Sequence, residues 1–384
     1  MATPLTMGQP AGVQPAPLRL MLITGTLAGG GAERQLSEMA NYWFGRGVEV
    51  MLATWSGPDI KDFYPLNAGI TRLWIDVDAP RRAPLAGLIL SIRRIHKLRR
   101  IIRALRPDAI VSFIDIPNVY TILATRGLGI RVVVAERTHP AVNRTISRSW
   151  RALRRFCYSQ ACVVVAQTRD AGRWLERNCH ARVKVIPNFL RDLPHIQCER
   201  ELMIIAVGRL SIEKGYDLLL GAFSKIATKF PHWRICIIGD GTERGALVRL
   251  CDELNIADRV EFVGEVRQVE TWMARAGLLV HPSRREGFPN VVLEAMGMGL
   301  AVICTNCRAG PSELIEDDIN GRLVPVDDTG ALGRVMSELM ASPELRERLG
   351  REARKVRARY NQDVIMDQWQ ACLLPPSPRD PECR

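Results

Sequence analysis

Two carboxylates with one helix start between them carry the clearest chemical signal in this chain of 384 residues. Glu286 and Glu294 enclose the segment Gly287-Phe288-Pro289-Asn290. Proline is tolerated in a first helical turn because its missing N–H would be unpaired there. A helix that begins here points free backbone amides and its positive dipole end at an anion. Such a socket between two hydrogen-bond acceptors suits a phosphorylated ligand rich in hydroxyls, as a nucleotide sugar is.

Two cations follow a buried apolar run earlier in the chain. Arg209 and Lys214 lie five residues apart, after Gly208 and the predicted strand of residues 203–207. A guanidinium with a fixed fork and an ammonium point charge would together offset the charge of a diphosphate. A surface loop with ordinary salt bridges is the alternative interpretation of the same residues.

A glycine run near the N-terminus offers a third phosphate contact. Gly29-Gly30-Gly31 follows a predicted strand and precedes a predicted helix, where the backbone can approach a phosphate closely. The dinucleotide pattern G-x-G-x-x-G fails because Arg34 stands at its last glycine, and the P-loop pattern fails because Gly31-Ala32 replaces Lys-Ser/Thr. These failures disfavour a dehydrogenase or an NTPase and leave a simple tight turn as the alternative.

Taken together, these three segments resemble the motifs of retaining glycosyltransferases of family 4. Residues 286–297 are similar to the carboxylate motif of that family, residues 208–215 to its phosphate-binding motif, and residues 29–34 to its glycine loop. They occur in the family's order, and the resemblance covers about residues 18 to 373. It implies the α/β GT-B fold, in which two Rossmann-like, doubly wound domains face a cleft. It also implies catalysis with no cofactor and no metal.

The resemblance also implies roles for single residues. Arg209 and Lys214 would stabilise the departing diphosphate, Glu286 would orient the sugar hydroxyls, and Glu294 would bind the ribose hydroxyls. His139, in the segment Glu136-Arg137-Thr138-His139, would meet the transferring sugar; a loop histidine without a ligand is the alternative. The predicted donor-binding set is Gly30, Gly31, Gly208, Arg209, Lys214, Gly239, Val266, Glu286, Gly287, Phe288, Pro289, Asn290 and Glu294.

The elements that would position these residues alternate between short apolar strands and amphipathic helices. This alternation predicts parallel sheets, and ligands of such sheets bind beyond the carboxyl ends of the strands. The expected organisation is a flexible tail at 1–17, an acceptor- and membrane-side domain at 18–190, a nucleotide-sugar domain at 191–360, and a helix returning to the first domain, followed by a loose tail, at 361–384.

Charge is distributed unevenly between the two halves. Residues 1–198 hold 28 Lys and Arg against 13 Asp and Glu, whereas residues 199–384 hold 25 against 28. Cations on one predicted helix, Arg93, Arg94, Lys97 and Arg100, lie in a stretch without acids. About 1 kcal/mol per cation near an anionic bilayer would hold the domain at the inner leaflet. A solvated face on an apolar core stripe is the alternative. RNA binding is disfavoured because interleaved aromatics are lacking.

Several other classes are disfavoured. The sequence holds no stretch of about 20 uninterrupted apolar residues and no apolar core of an export signal, so a peripheral cytoplasmic protein is expected. Asp76-x-Asp78 has metal-site spacing but is interpreted as a solvated strand end, away from the donor domain. Cys304 and Cys307 lack a second pair to complete a zinc site, and ten scattered cysteines fit a reducing compartment.

Together with these patterns, the resemblance implies a metal-independent retaining hexosyltransferase. The expected reaction moves a hexose or N-acetylhexosamine from a UDP-sugar to a polyprenyl-diphosphate-linked glycan, in cell-surface polysaccharide or oligosaccharide assembly. The alternatives are a GDP-mannose-dependent mannosyltransferase, a glycoside hydrolase with Glu286 and Glu294 as its carboxylate pair, and a non-catalytic membrane-recruited binding module. No nucleic-acid partner is expected.

Overall fold

The chain is organised around two parallel β-sheets that follow each other in sequence. The computed structural model describes residues 17–75, 86–141, 147–308 and 310–374. The first sheet has the strand order β3-β2-β1-β4-β5-β6-β7. Its strands are β1 (Arg19–Thr24), β2 (Glu49–Thr54), β3 (Thr71–Trp74), β4 (Ala109–Phe113), β5 (Arg131–Ala135), β6 (Val163–Ala166) and β7 (Val183–Val185).

Helices connect these strands and cover both faces of the first sheet. Because both faces are covered, strands such as β4 are apolar throughout and completely buried. The connecting helices are α1 (Gly31–Gly45), α2 (Ala86–Leu105), α3 (Asp115–Thr125), α4 (Arg148–Tyr158) and α5 (Arg169–Cys179).

The second sheet repeats this architecture with the order β10-β9-β8-β11-β12-β13. Its strands are β8 (Met203–Val207), β9 (Arg234–Ile238), β10 (Val260–Gly264), β11 (Leu278–His281), β12 (Val302–Thr305) and β13 (Arg322–Val324). Its helices are α6 (Tyr216–Ser224), α7 (Arg244–Glu253), α8 (Val269–Arg275), α9 (Asn290–Gly297), α10 (Pro311–Leu314), α11 (Thr329–Ala341), α12 (Pro343–Ala353) and α13 (Val356–Arg359).

The last described helix, α14 (Gln362–Leu373), returns to the first sheet. Trp369 lies in the hydrophobic core beneath that sheet, with its ring centroid 5.8 Å from that of Phe113. At the start of the helix, Asp363 accepts a hydrogen bond from Tyr42 and forms an ion pair with Arg46. Helix α14 therefore packs in the core of the first sheet, although it follows the second sheet in sequence.

Two successive Rossmann-like α/β domains confirm the fold class predicted from the sequence. The pattern of short apolar runs does not predict β3, β7 and β13. These strands are short and lie at sheet edges, where one side faces away from the core and continuous apolarity is not required. Asp76-x-Asp78 and most residues of both predicted tails lie outside the described residues. Within the described ranges, the helices are too short or too polar to cross a bilayer.

Candidate active site

A cleft of about 1000 Å³ lies where the loops after β1, β5, β8 and β11 meet. These loops leave the carboxyl ends of the strands, where ligands bind in open parallel sheets. Among the predicted site residues, those lining the cleft are Gly30, Gly31, Gly208, Arg209, Lys214, Glu286, Gly287, Phe288, Pro289 and Asn290. The sheets thus bring together ten residues that lie up to 260 positions apart in the chain.

An ion pair between a half-buried lysine and a largely buried carboxylate joins two of the predicted motifs. Glu286 Oε1 accepts hydrogen bonds from Lys214 Nζ at 2.6 Å and from His281 Nε2 at 2.7 Å. Burial opposes ionisation of Glu286, but Lys214 and His281 outweigh it and hold the pKa of this carboxyl well below its usual range. Glu286 is therefore a permanent anion and a strong hydrogen-bond acceptor.

The position of Lys214 depends on local backbone geometry. Lys214 ends a short 3-10 turn, Ile212–Lys214, and Gly215 follows in the left-handed region with φ of 66°. Glycine adopts this conformation without strain. The turn leaves Arg209 exposed on the cleft wall and leaves the ammonium of Lys214 within reach of Glu286.

Gly287 and Asn290 are in contact with the N-terminal domain. A side chain at Gly287 would collide with the carbonyl oxygen of Arg137, so only glycine permits this approach. Asn290, the first residue of α9, accepts a hydrogen bond from Asn188 Nδ2 at 2.6 Å and lies against Gly31. The start of α9 is thus in contact with the first domain on two sides.

Glu294 lies one turn further along α9, does not line the cleft, and is buried. It forms an ion pair with Arg34 of α1, and its Oε1 lies 3.5 Å from Arg191 Nε. Arg191 is also paired with Glu270. The carboxylate predicted to bind ribose therefore has two arginine partners, one of which belongs to the first domain.

Three other predicted residues lie away from the cleft. Gly239 packs against Gly208, and its N–H donates to Gly264 O at 2.8 Å; Val266 packs against the core of the second sheet. His139 is buried, with Nε2 3.1 Å from Asp170 Oδ2. Burial, followed by the field of Arg308, lowers the pKa of His139, and Asp170 opposes this. The roles of these residues stay predictions without support from a cleft contact.

Several residues that line the cleft were not predicted as site residues. His281 ends the apolar strand β11, and a polar residue at that position was the available signal. Arg137 belongs to the segment Glu136-Arg137-Thr138-His139, in which the resemblance implied a ligand contact for His139 instead. Further polar residues of the cleft include Glu33, Arg34, Tyr64, Asp115, Gln167, Asn188 and Arg285. Within the described parts of the chain, His, Cys, Asp and Glu do not gather in groups of three that would suit a metal ion.

Two protein-family models identify the kind of protein that carries this cleft. Residues 29–191 match the model described as Glycosyltransferase Family 4, and residues 195–356 match Glycosyl transferases group 1. The chain consists of a family 4 glycosyltransferase domain followed by a group 1 glycosyltransferase domain. The predicted family and its GT-B fold are thereby confirmed.

Similar proteins come from bacterial glycan assembly. The amylovoran biosynthesis glycosyltransferase AmsD of Erwinia amylovora is 24% identical over 92% of this chain and 99% of its own. A Campylobacter jejuni α-1,4-N-acetyl-D-galactosaminyltransferase, named for GalNAc-α-(1→4)-GalNAc-α-(1→3)-diNAcBac-PP-undecaprenol, is 25% identical over 92% and 97%. Among solved structures, HepE of Anabaena in complex with UDP superimposes with a TM-score of 0.76 at 18% identity, over 93% of this chain and 99% of that one. This glycosyltransferase therefore shares the GT-B fold of HepE.

Proposed function

We propose that this glycosyltransferase moves a hexose or N-acetylhexosamine from a UDP-sugar to a lipid-linked glycan, with retention of configuration and without a metal. The observation that carries the proposal is the pairing of Lys214 with Glu286 in a cleft that Arg209 also lines. Lys214 can stabilise the charge of a leaving diphosphate, and the adjacent Glu286 can accept hydrogen bonds from sugar hydroxyls. Both interactions suit transfer from a nucleotide sugar.

In the proposed reaction, the bond between the sugar C1 and the diphosphate oxygen breaks while the acceptor oxygen bonds to C1 on the same face. The acceptor hydroxyl proton passes to the departing diphosphate oxygen. Arg209 and Lys214 stabilise the negative charge that develops on the diphosphate. Glu286 is too weak a base to take the proton, so it orients sugar hydroxyls instead.

Glycoside hydrolysis is disfavoured by the state of the two carboxylates. A hydrolase needs one protonated carboxyl with a raised pKa facing a second carboxylate. Here Glu286 is held ionised by Lys214 and His281, and Glu294 is buried between arginines outside the cleft. Neither residue is arranged as a general acid.

Helix α2 supports an acceptor at a membrane surface. The apolar stripe expected to be core is buried only in the second half of the helix, at Leu98 and Ile102. Leu88, Ile89 and Ile92 are 57%, 37% and 45% exposed. Exposed cations continue along the same helix, among them Arg93, Arg100 and Arg103. Apolar residues next to cations favour binding to an anionic bilayer.

The cations predicted to contact the membrane differ in their surroundings. Arg93 and Arg100 are exposed, whereas Arg94 and Lys97 are half-buried. The Arg94 guanidinium carbon lies 6.0 Å from the ring centroid of Trp55. We therefore assign surface contact to Arg93, Arg100 and Arg103, with Arg94 anchoring the helix to the first domain. The acceptor proposed for this peripheral, cytoplasmic-face enzyme is a polyprenyl-diphosphate-linked glycan, as in the name of the Campylobacter relative.

A donor screen followed by a transfer assay tests the proposal. Donors that bind only the folded protein raise its melting temperature, so UDP-linked hexoses, UDP-N-acetylhexosamines and GDP-mannose are compared first. The donor with the largest shift is then incubated with a polyprenyl-diphosphate-linked acceptor, and the anomeric configuration of the product is determined. We expect a UDP-sugar to be transferred with retention. Release of the sugar to water alone, or an inverted product, would contradict the proposal.

A further inference from the structure

Arg137 is a half-buried cation on the cleft wall, contributed by the N-terminal domain. It follows β5, lines the cleft, and its guanidinium carbon lies 4.3 Å from the Phe113 ring centroid. Nη2 donates to the neutral amide oxygen of Asn188, while Nε has no hydrogen-bond partner. Within the described parts of the chain, Arg137 forms no ion pair with a carboxylate.

The Nε atom of Arg137 is fully removed from water without a hydrogen-bond partner, and such a position is costly for a charged group. Removing an ion from water costs several kcal/mol unless a counter-ion and hydrogen bonds compensate. Burial lowers the pKa of Arg137 to about 9, and the field of Glu33 only partly opposes this. Burial also raises the pKa of Glu33, so Glu33 is a poor permanent counter-ion for Arg137. Strongly perturbed groups in clefts of this kind are concentrated at functional sites.

The surroundings of Arg137 indicate which ligand would compensate its charge. Asn188 connects the guanidinium to Asn290, the first residue of α9, and Gly31 of the glycine loop lies against Asn290. Helix N-termini and glycine-rich backbone are phosphate-binding elements. Arg137, Arg209 and Glu33 all line the cleft, and both guanidiniums oppose the rise in the pKa of Glu33 that burial causes.

We infer that Arg137 binds the diphosphate of the donor nucleotide and is a further catalytic residue of this site. The inference rests on the proposed function. A neutral sugar would not compensate a half-buried cation that lacks a carboxylate partner, whereas two phosphates between α9, the glycine loop and Arg209 would. Because Arg137 belongs to the first domain and Arg209 and Lys214 belong to the second, the diphosphate has its full set of cations only when both domains contact it.

The test compares Arg137→Met and Arg137→Lys with the wild-type protein. Affinities for UDP and for inorganic diphosphate are measured by calorimetry, turnover is measured at saturating donor, and melting temperatures are measured without ligand. Arg137→Met keeps most of the side-chain volume and removes the charge. We expect UDP to bind at least about 10-fold more weakly and turnover to fall about 10²-fold, the scale of one preorganised contact.

The melting temperature separates ligand binding from a structural role. Removing a half-buried charge without a carboxylate partner should leave the melting temperature of Arg137→Met unchanged or raise it, while the shift caused by UDP becomes smaller. The UDP affinity and turnover of Arg137→Lys should lie between those of Arg137→Met and the wild type, because an ammonium keeps the charge but lacks the planar fork of arginine. Arg131→Met is the matched control: Arg131 begins β5, is half-buried, and should leave UDP affinity unchanged.

Each outcome decides the inference. Equal UDP and diphosphate affinity in wild type and Arg137→Met would overturn it, and so would a large drop in melting temperature that accounts for the lost binding. If the wild-type protein transfers no sugar but binds diphosphate in an Arg137-dependent way, the inference stands and the proposed function fails. If the wild-type protein binds neither UDP nor diphosphate, both are wrong.

Discussion

Lys214 Nζ and Glu286 Oε1 lie 2.6 Å apart, although 72 residues separate them in the chain. They leave the neighbouring strands β8 and β11, whose carboxyl ends meet at the same edge of the second sheet. Lys214 thus neutralises a buried carboxylate while it lines the cleft. Removal of Lys214 would leave both the donor site and the interior with an unbalanced charge.

Lys214→Ala is therefore expected to reduce both turnover and stability. Turnover should fall at least about 10²-fold through the lost electrostatic contact. The free energy of unfolding should drop by roughly 2 kcal/mol or more, because Glu286 stays buried with His281 as its remaining partner. Urea denaturation and steady-state kinetics provide the two measurements.

The exposed Arg209 provides the contrast, since it lines the same cleft but forms no ion pair with a buried acid within the described ranges. Arg209→Ala should lose a similar factor in turnover with little change in stability. Near wild-type turnover for either variant at saturating donor would remove the proposed diphosphate role.

Glu286→Gln and Glu294→Gln should affect different kinetic constants. Glu286 lines the cleft, so its variant should lower kcat more than donor affinity. Glu294 is buried at the contact with Arg34, so its variant should weaken donor binding about 10-fold or more while kcat changes less. Arg34→Ala should reproduce the Glu294→Gln phenotype, because it removes the same interdomain contact. Equal changes in kcat and donor affinity for both glutamate variants would contradict this division.

The stability of the protein should depend on pH through Glu38 of α1. Burial raises the pKa of Glu38 to about 7, with Arg34 opposing and Glu294 adding to the shift. A carboxyl whose pKa is higher in the folded than in the unfolded state stabilises the fold as pH decreases. The unfolding free energy should therefore rise by about 1 to 2 kcal/mol between about pH 8 and pH 5 through this group.

Glu38→Gln should remove this part of the pH dependence and be more stable than wild type at pH 8. Urea denaturation at about pH 8 and at about pH 5 measures the unfolding free energy of each protein. Glu347→Gln, an exposed position on α12 with 79% of its side chain accessible, is the control and should change neither value. If the unfolding free energy of Glu38→Gln depends on pH as that of the wild type does, Glu38 does not have the raised pKa assigned to it.

Sugar transfer should persist in excess chelator. The proposed reaction relies on Arg209 and Lys214 where other enzymes use a divalent cation. Turnover is measured with EDTA and then after addition of magnesium or manganese. Loss of activity with chelator and its rescue by either metal would assign the charge stabilisation to a metal ion instead.

Binding to anionic liposomes should depend on the exposed face of α2. Arg93→Gln/Arg100→Gln/Arg103→Gln should bind more weakly in sedimentation, and wild-type binding should decrease with salt, since exposed charges are screened over about 8 Å at physiological ionic strength. Leu88→Ser/Ile89→Ser/Ile92→Ser should weaken binding at every salt concentration.

A triple variant with the same loss of charge in the second domain, Arg348→Gln/Arg351→Gln/Lys355→Gln, is the control. It should bind liposomes as the wild type does. If the α2 variant and the control variant weaken liposome binding equally, net charge alone explains the binding and α2 is not a defined docking face.

The sequence by itself determined the fold and most of the cleft. Continuous apolar strands alternating with amphipathic helices specify parallel sheets, because only a strand covered on both faces needs to be apolar throughout. The loop motifs at Gly30, Arg209 and Glu286 follow those strands directly, so the rule that parallel strands end at one edge was enough to bring them together.

Only the tertiary structure decided which side chain meets which. In the loop after β5, Arg137 lines the cleft, whereas His139 is paired with Asp170. The two residues are two positions apart in an irregular segment, so the sequence pattern does not show which of them reaches the cleft. The partners of Glu294 come from α1 and from the segment between the domains, far away in sequence. Ion pairs of this kind depend on distances of a few ångströms between separate elements, and these arise from packing of the two domains, not from periodicity within either one.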